Sequence, residues 1–107
     1  MSTDDVNIPG HSGIRDQIQG LRWINNNIAQ FNGNPQNVTI IGHDAGGISV
    51  SMHVLNPAAW LLQTFNSAIS IGGTAFTPWA FKGNPKDQAM NFADFYGCDQ
   101  RSDKMLD

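Results

Sequence analysis

Hydrophobic positions along the chain follow two different periods, one helical and one typical of buried strands. Between residues 13 and 31 the apolar side chains recur every three or four residues, which predicts an amphipathic helix. Two short continuous apolar runs, residues 38–41 and 68–71, are typical of strands covered on both faces of a parallel sheet. The helical positions are Ile14, Ile18, Leu21, Ile24, Ile28 and Phe31.

Two further helices complete an alternating pattern. One is predicted over residues 45–54, ahead of Pro57, and the other over residues 85–97, closed by Gly97. Residues 58–65 are expected to form a short helical turn. The order helix, strand, helix, strand, helix indicates the α/β class. Because two central parallel strands with flanking helices leave both sheet edges open, we expect an incomplete sheet that folds poorly or associates in isolation.

Composition excludes several classes of function. The chain has 107 residues, 40% of them hydrophobic and 14% charged, which is typical of a globular segment. A net charge of -3 without a basic stripe argues against nucleic-acid binding, and no apolar run reaches membrane-spanning length. The first residues do not resemble a signal peptide. No cofactor is expected, and no metal site either, because zinc-ligand spacing is missing among His11, His43, His53 and Cys98.

The segment from residue 37 to residue 50 carries the candidate chemistry. A strand runs into Gly42-His43-Asp44-Ala45-Gly46 and then into a helix, which is the layout of the nucleophile elbow G-x-S-x-G. So tight a turn strains the backbone of its central residue. Positions 42 and 46 are expected to require glycine, because a side chain at either position would collide with the neighbouring chain. Asp44 stands where a catalytic serine is expected. A simpler interpretation is that Asp44 caps the helix N-terminus.

Several ordered motifs resemble those of the type-B carboxylesterases, a family that includes the cholinesterases and the neuroligin-like adhesion proteins. The resemblance covers nearly all of the chain. It implies that residues 1–107 are a fragment of a single α/β-hydrolase domain, and that the parent protein acts on carboxylic esters. The matching segments are residues 10–17 (GHSGIRDQ), 21–28 (LRWINNNI), 31–35 (FNGNP), 38–42 (VTIIG), 44–50 (DAGGISV) and 78–80 (PWA).

Three departures from the family pattern fall at its chemical centre. The family serine is Asp44, the preceding glutamate is His43, and a second serine near the active site is Gly72. The resemblance places the remaining catalytic residues and the oxyanion glycine motif outside this segment, so we expect this chain to be inactive. The resemblance implies two remaining site features in this chain. They are the N–H group of Ala45, as an oxyanion-hole donor, and Trp79, as a wall of the acyl pocket. Trp79 can equally be an ordinary packed aromatic residue.

Other functional interpretations stay open. Relatives of the neuroligin type also lose the serine, so the parent can be a non-catalytic adhesion or binding protein with a protein partner. The run Gly42 to Gly47 also resembles the G-H-D-W-G-G of epoxide hydrolases, in which an aspartate such as Asp44 is the nucleophile. A third possibility is that Asp44 is an engineered or erroneous residue in an otherwise active esterase. The resemblance suggests a secreted, ER-lumenal or cell-surface parent, in which Cys98 pairs with a cysteine expected just beyond residue 107.

Overall fold

The computed structural model describes residues 2–57, 63–81 and 83–98, and the elements in these ranges follow the predicted order. That order confirms the α/β class. Residues 13–81 form one compact unit, and the described parts of residues 1–12 and 82–107 form another. The elements are helix α1 (Ser12–Asn27), a 3-10 helix (Ile28–Phe31), strand β1 (Thr39–His43), helix α2 (Ala45–Leu55), strand β2 (Ser67–Ile71) and helix α3 (Pro85–Tyr96).

The two strands of the first unit form a parallel sheet, as predicted. Their register pairs Thr39 with Ser67 at one end and His43 with Ile71 at the other. Parallel strands need a crossover connection, and α2 supplies it by packing against both strands. The C-terminal ends of β1 and β2 therefore lie side by side, next to the start of α2.

The prediction that both strands are buried on both faces is wrong for the described residues. Burial alternates along β1, where Ile41 is 66% exposed, and every residue of β2 is exposed. Helix α2 packs against one face of the sheet and covers β2 only partly, so side chains on both faces of β2 remain in contact with solvent. The sheet is thus incomplete in the way expected for part of a larger α/β sheet.

The first helix begins and ends close to its predicted limits. Ser12 is the first helical residue, and the α-helix ends at Asn27. The chain continues as the 3-10 helix to Phe31, and Asn32 then closes it in a left-handed conformation with φ 63°. A small polar residue such as asparagine tolerates that conformation better than a branched one. The expected turn over residues 58–65 lies largely outside the described residues, since residues 58–62 are not described.

Helix α3 belongs to the second unit. Asn84 accepts a hydrogen bond from the N–H group of Asp87, and Pro85 occupies the first helical position, so the start is well capped. Gly97 ends the helix with φ 67°. Ala89 and Ala93 are each only 1% exposed, whereas the aromatic side chains of Phe92 and Tyr96 on the same helix are 51% and 64% exposed.

The N-terminal residues of the same unit form a compact polar turn. The Asp5 carboxylate accepts hydrogen bonds from the N–H groups of Asn7 and Ile8 and from the Thr3 hydroxyl. The Ser2 hydroxyl donates to the carbonyl of Ile8. No helix in the described part of the chain is long and apolar enough to cross a membrane.

Candidate functional site

A single residue makes the turn between β1 and α2. The strand ends at His43 and the helix begins at Ala45, so the reversal falls on Asp44, which has φ 53° and ψ -115°. These angles match the first central residue of a type II′ turn, a conformation that favours glycine. A non-glycine residue held there carries about 1–3 kcal/mol of strain. The strained central residue expected from the sequence is therefore present at position 44.

Crowding beside the turn explains one of the two expected glycines. A Cβ atom built on Gly42 would collide with the backbone carbonyl of Gly46 and lie 2.8 Å from the amide nitrogen of Gly47. A Cβ atom on Gly46 would meet nothing within 4 Å. The space beside Gly42 is filled by the backbone of Gly46, so the steric requirement falls on residue 42. The structure gives no steric reason for glycine at residue 46.

The side chain of Asp44 is exposed and does not cap α2. No capping hydrogen bond joins its carboxylate to the helix, and it makes no side-chain hydrogen bond with any described residue. The interpretation of Asp44 as an N-cap is therefore wrong. The reason lies in the backbone, because an N-cap residue normally has φ and ψ values in the β region, with a negative φ.

Helix α2 begins directly after the Asp44 turn. Amides in the first turn of a helix have no intrahelical acceptor, and the helix dipole adds a partial positive charge. Ala45 is the first residue of α2 and is exposed, next to the Asp44 side chain. An anion formed beside position 44 can therefore accept a hydrogen bond from this end of the helix.

The three positions that depart from the family pattern lie together at the C-terminal ends of the strands. His43 is the last residue of β1 and is exposed, directly before Asp44. Gly72 follows β2, and a Cβ atom built on it would lie 3.7 Å from Nε2 of His43. Gly72 also has φ 66°, which a serine would adopt only with strain.

Trp79 lies in a loop held by two backbone hydrogen bonds. The N–H of Thr77 donates to the carbonyl of Thr74 at 3.0 Å, and the N–H of Ala80 donates to the carbonyl of Thr77 at 2.9 Å. The Trp79 side chain is 68% exposed, so it is not packed as an ordinary core aromatic residue. Its role as an acyl-pocket wall stays a prediction from the resemblance.

An open cleft of about 320 Å³ lies between α1, β1 and α2. Its lining is mostly apolar and includes Leu21, Ile24, Ile40 and Val50, with Gln17, Ser49 and His53 as polar members. Among the residues that the structure describes, no group of three His, Cys, Asp or Glu side chains could hold a metal ion.

The nucleophile-elbow motif does not predict the close contact between the start of α2 and the end of β2. Gly47 and Gly73 lie where the start of α2 crosses the end of β2. A Cβ on Gly47 would lie 2.9 Å from the carbonyl oxygens of Ile71 and Gly73. Two adjacent glycines after each strand, at residues 46–47 and 72–73, are the pattern that could have predicted such a crossing.

Comparison with known proteins identifies the family to which these features correspond. The family model described as the carboxylesterase family matches residues 1–107. Esterase S of Drosophila virilis is 42% identical over 98 residues, covering 92% of this chain and 18% of the relative. Venom carboxylesterase-6 of Apis mellifera is 42% identical over 108 residues, covering 100% of this chain and 19% of the relative.

A mammalian lipase shows the same level of similarity. Bile salt-activated lipase of Homo sapiens is 42% identical over 98 residues, covering 92% of this chain and 13% of the relative. The chain thus spans less than a fifth of the length of each of these relatives. The similarity covers both strands, the Asp44 turn and the flanking helices.

Proposed function

Since the chain belongs to the carboxylesterase family, we propose that the Asp44 turn is the family's nucleophile elbow with the nucleophile lost. The chain is then a segment of a type-B α/β-hydrolase that does not hydrolyse esters as it stands. This proposal rests on the Asp44 side chain. It is exposed at a strained turn, in the position where a serine esterase requires its nucleophilic hydroxyl.

The chemistry of ester cleavage explains why aspartate does not replace serine. Attack of the Asp44 carboxylate on an ester carbonyl would give a tetrahedral intermediate whose possible leaving groups are a carboxylate and an alkoxide. The carboxylate is by far the weaker base, so the intermediate returns to the starting ester. A serine alkoxide and an ester alkoxide, in contrast, are similar leaving groups, and a general base makes the exchange productive.

Electrostatics oppose the reaction as well. The N–H group of Ala45 and the dipole of α2 can stabilise an oxyanion formed beside position 44. The ionised carboxylate of Asp44 lies at the same helix end, and it repels a developing oxyanion and competes for the positive end of the dipole. We propose Ala45 as the remaining oxyanion donor and Trp79 as an acyl-pocket wall, in a parent protein that binds carboxylic esters in a secretory or cell-surface compartment.

Ester turnover by the purified chain tests the proposal. Hydrolysis of short acyl p-nitrophenyl esters is compared between the unmodified chain and the variant Asp44→Ala. We expect both proteins to match the background rate of buffer with an inert protein. Turnover above that background in the unmodified chain, abolished by Asp44→Ala, would show that Asp44 is a working nucleophile and would overturn the proposal.

A second function is favoured by one observation, the uncapped and exposed carboxylate of Asp44. A carboxylate is a nucleophile without further activation and can attack a carbon of an epoxide. A new C–O ester bond forms, the ring C–O bond breaks, and the ring oxygen takes a proton from water. A mass increase equal to one epoxide, absent in Asp44→Asn, would support this function over the first. An unchanged mass would exclude it.

A further inference from the structure

The end of β2 and the first turn of α2 are joined by the hydroxyl group of one serine. The Oγ atom of Ser70 lies 2.6 Å from the carbonyl oxygen of Gly47 and 2.6 Å from that of Gly73. Both partners are acceptors, so the single hydroxyl proton is shared between them. Ser70 thereby connects a strand end, a helix start and the loop that follows the strand.

The backbone of Asp44 is held by the same segment of chain. The N–H group of Asp44 donates to the carbonyl of Ile71 at 2.9 Å. On its other side, the carbonyl of Asp44 lies so close to Gly73 that a Cβ on this glycine would collide with it. Residues 70–73 therefore contact the peptide groups on both sides of the strained residue, and we refer to this segment as the clamp.

The close approach of α2 to the clamp requires glycine at position 47. A Cβ on Gly47 would lie 3.1 Å from Oγ of Ser70 and 2.9 Å from two carbonyl oxygens of the clamp. The van der Waals contact of Gly47 and the hydrogen bond from Ser70 thus hold the same part of α2 against the clamp. A strained backbone persists only where its surroundings leave it no easier conformation.

We propose that Ser70 is the positioning residue for position 44. This inference rests on the proposed elbow function and adds the device that maintains it. The Ser70 hydroxyl fixes the first turn of α2 against the clamp, and the clamp holds Asp44 at positive φ. The side chain at position 44, whatever its chemistry, therefore stays exposed above the strand ends. Without the hydroxyl, α2 can shift and position 44 can relax to an unstrained conformation.

Amide hydrogen exchange of the 107-residue chain tests the proposal. In Ser70→Ala, the N–H of Asp44 loses its hydrogen bond to Ile71, and we expect its exchange to accelerate about three- to tenfold relative to the exchange of the β1 amides. Ser67→Ala is the matched control, because Ser67 lies on the same strand, is exposed and makes no side-chain hydrogen bond with described residues. Ser70→Thr keeps the hydroxyl and should restore the protection.

A general loss of stability would give a different pattern. If Ser70 served only global stability, Ser70→Ala would accelerate exchange of the Asp44 amide and of the β1 amides by the same factor, and the proposal would be overturned. The same conclusion would follow if the Asp44 amide were unprotected in the unmodified chain, or if Ser67→Ala had the same effect as Ser70→Ala.

Relief of strain gives a second, independent measurement. Asp44→Gly removes the strain, so it should stabilise the unmodified chain and the Ser67→Ala control, and stabilise Ser70→Ala less because position 44 has already relaxed there. Equal effects of Asp44→Gly in all three backgrounds would contradict the clamp. Neither measurement uses ester or epoxide turnover, so failure of the clamp and failure of the proposed function are observed separately.

Discussion

Nε2 of His53 on α2 lies 2.8 Å from Oε1 of Gln17 on α1, and this contact joins two helices of the first unit. His53 is only 3% exposed, and its Nδ1 atom is buried with no hydrogen-bond partner among the described residues. Because the amide oxygen of Gln17 is an acceptor, Nε2 donates in this contact, and in the neutral ring Nδ1 is then the unprotonated nitrogen. Burial disfavours the charged form of His53.

Acid should destabilise the fold through His53. Burial lowers the pKa of His53 below its ordinary value of 6.5. As the pH falls through 6.5 the unfolded chain takes up a proton that the folded chain does not, so the free energy of unfolding decreases. The decrease continues down to the lowered pKa of the folded state. We expect a lower melting temperature at about pH 5.5 than at about pH 7.5.

Variants of two histidines check this assignment. His53→Leu removes the titrating group and the unpartnered nitrogen, so its melting temperature should change less over the same pH range. His43→Gln is the matched control, because it replaces an exposed histidine and leaves the contact between His53 and Gln17 in place. A pH dependence that is identical in His53→Leu and in the unmodified chain would contradict the assignment.

The sequence was sufficient to predict the path of the chain and the location of the strained residue. Helical spacing, continuous apolar runs and the Gly42 to Gly46 pattern identified both strands and the turn at Asp44. These features are local in sequence, and each has a direct steric or hydrophobic cause.

Hydrogen-bond partners far apart in the chain could not be predicted from the sequence. The contacts of Ser70 with Gly47 and of His53 with Gln17 join residues 23 and 36 positions apart. Which polar groups meet over such separations depends on how the helices cross the sheet, and no periodicity encodes that geometry. The failed expectation of an Asp44 cap has a local cause instead, because the positive φ of Asp44 is not the conformation of an N-cap residue.

Two glycines of the turn should respond in opposite ways to alanine. Gly42→Ala places a Cβ against the backbone of Gly46, and we expect it to destabilise the fold by about 3 kcal/mol or more. Gly46→Ala adds a Cβ in open space within α2, where alanine is the better helix former, so it should stabilise by about 0.4–1 kcal/mol. Urea denaturation of the two variants measures both effects. Equal destabilisation would mean that the crowding at Gly42 does not exist in solution.

Restoring the serine should not restore the reaction. Asp44→Ser supplies a hydroxyl that is almost entirely protonated at neutral pH and needs a general base within hydrogen-bond reach. His43 ends β1 directly before the turn residue 44, and we expect the side chains of these successive residues to point apart. We expect organophosphate labelling of Asp44→Ser, measured by intact mass, to be no faster than that of Asp44→Ala. Rapid labelling specific to the serine variant would show that a base in this chain already serves position 44.

The exposed sheet should make the isolated chain associate. Ile41, Ile69 and Ile71 are 66%, 47% and 46% exposed, and in the described residues each strand pairs on one edge only. Exposed apolar surface forgoes about 25 cal/mol of stabilisation per Å², and an unpaired strand edge offers hydrogen bonds to another chain. Association covers both features at once, so sedimentation equilibrium should show a mass that increases with protein concentration.

A charge placed on the sheet distinguishes association through these strands from nonspecific aggregation. Ile69→Lys puts an ammonium group on the exposed surface of β2 and should shift the equilibrium toward monomer by about tenfold or more, since burying an unpaired charge is costly. Gln30→Lys adds the same charge at an exposed position of the 3-10 helix and should leave the association unchanged. If the unmodified chain stays monomeric with a cooperative melt and slow amide exchange in both strands, the two-stranded unit is stable by itself, and the view of it as part of a larger sheet is wrong.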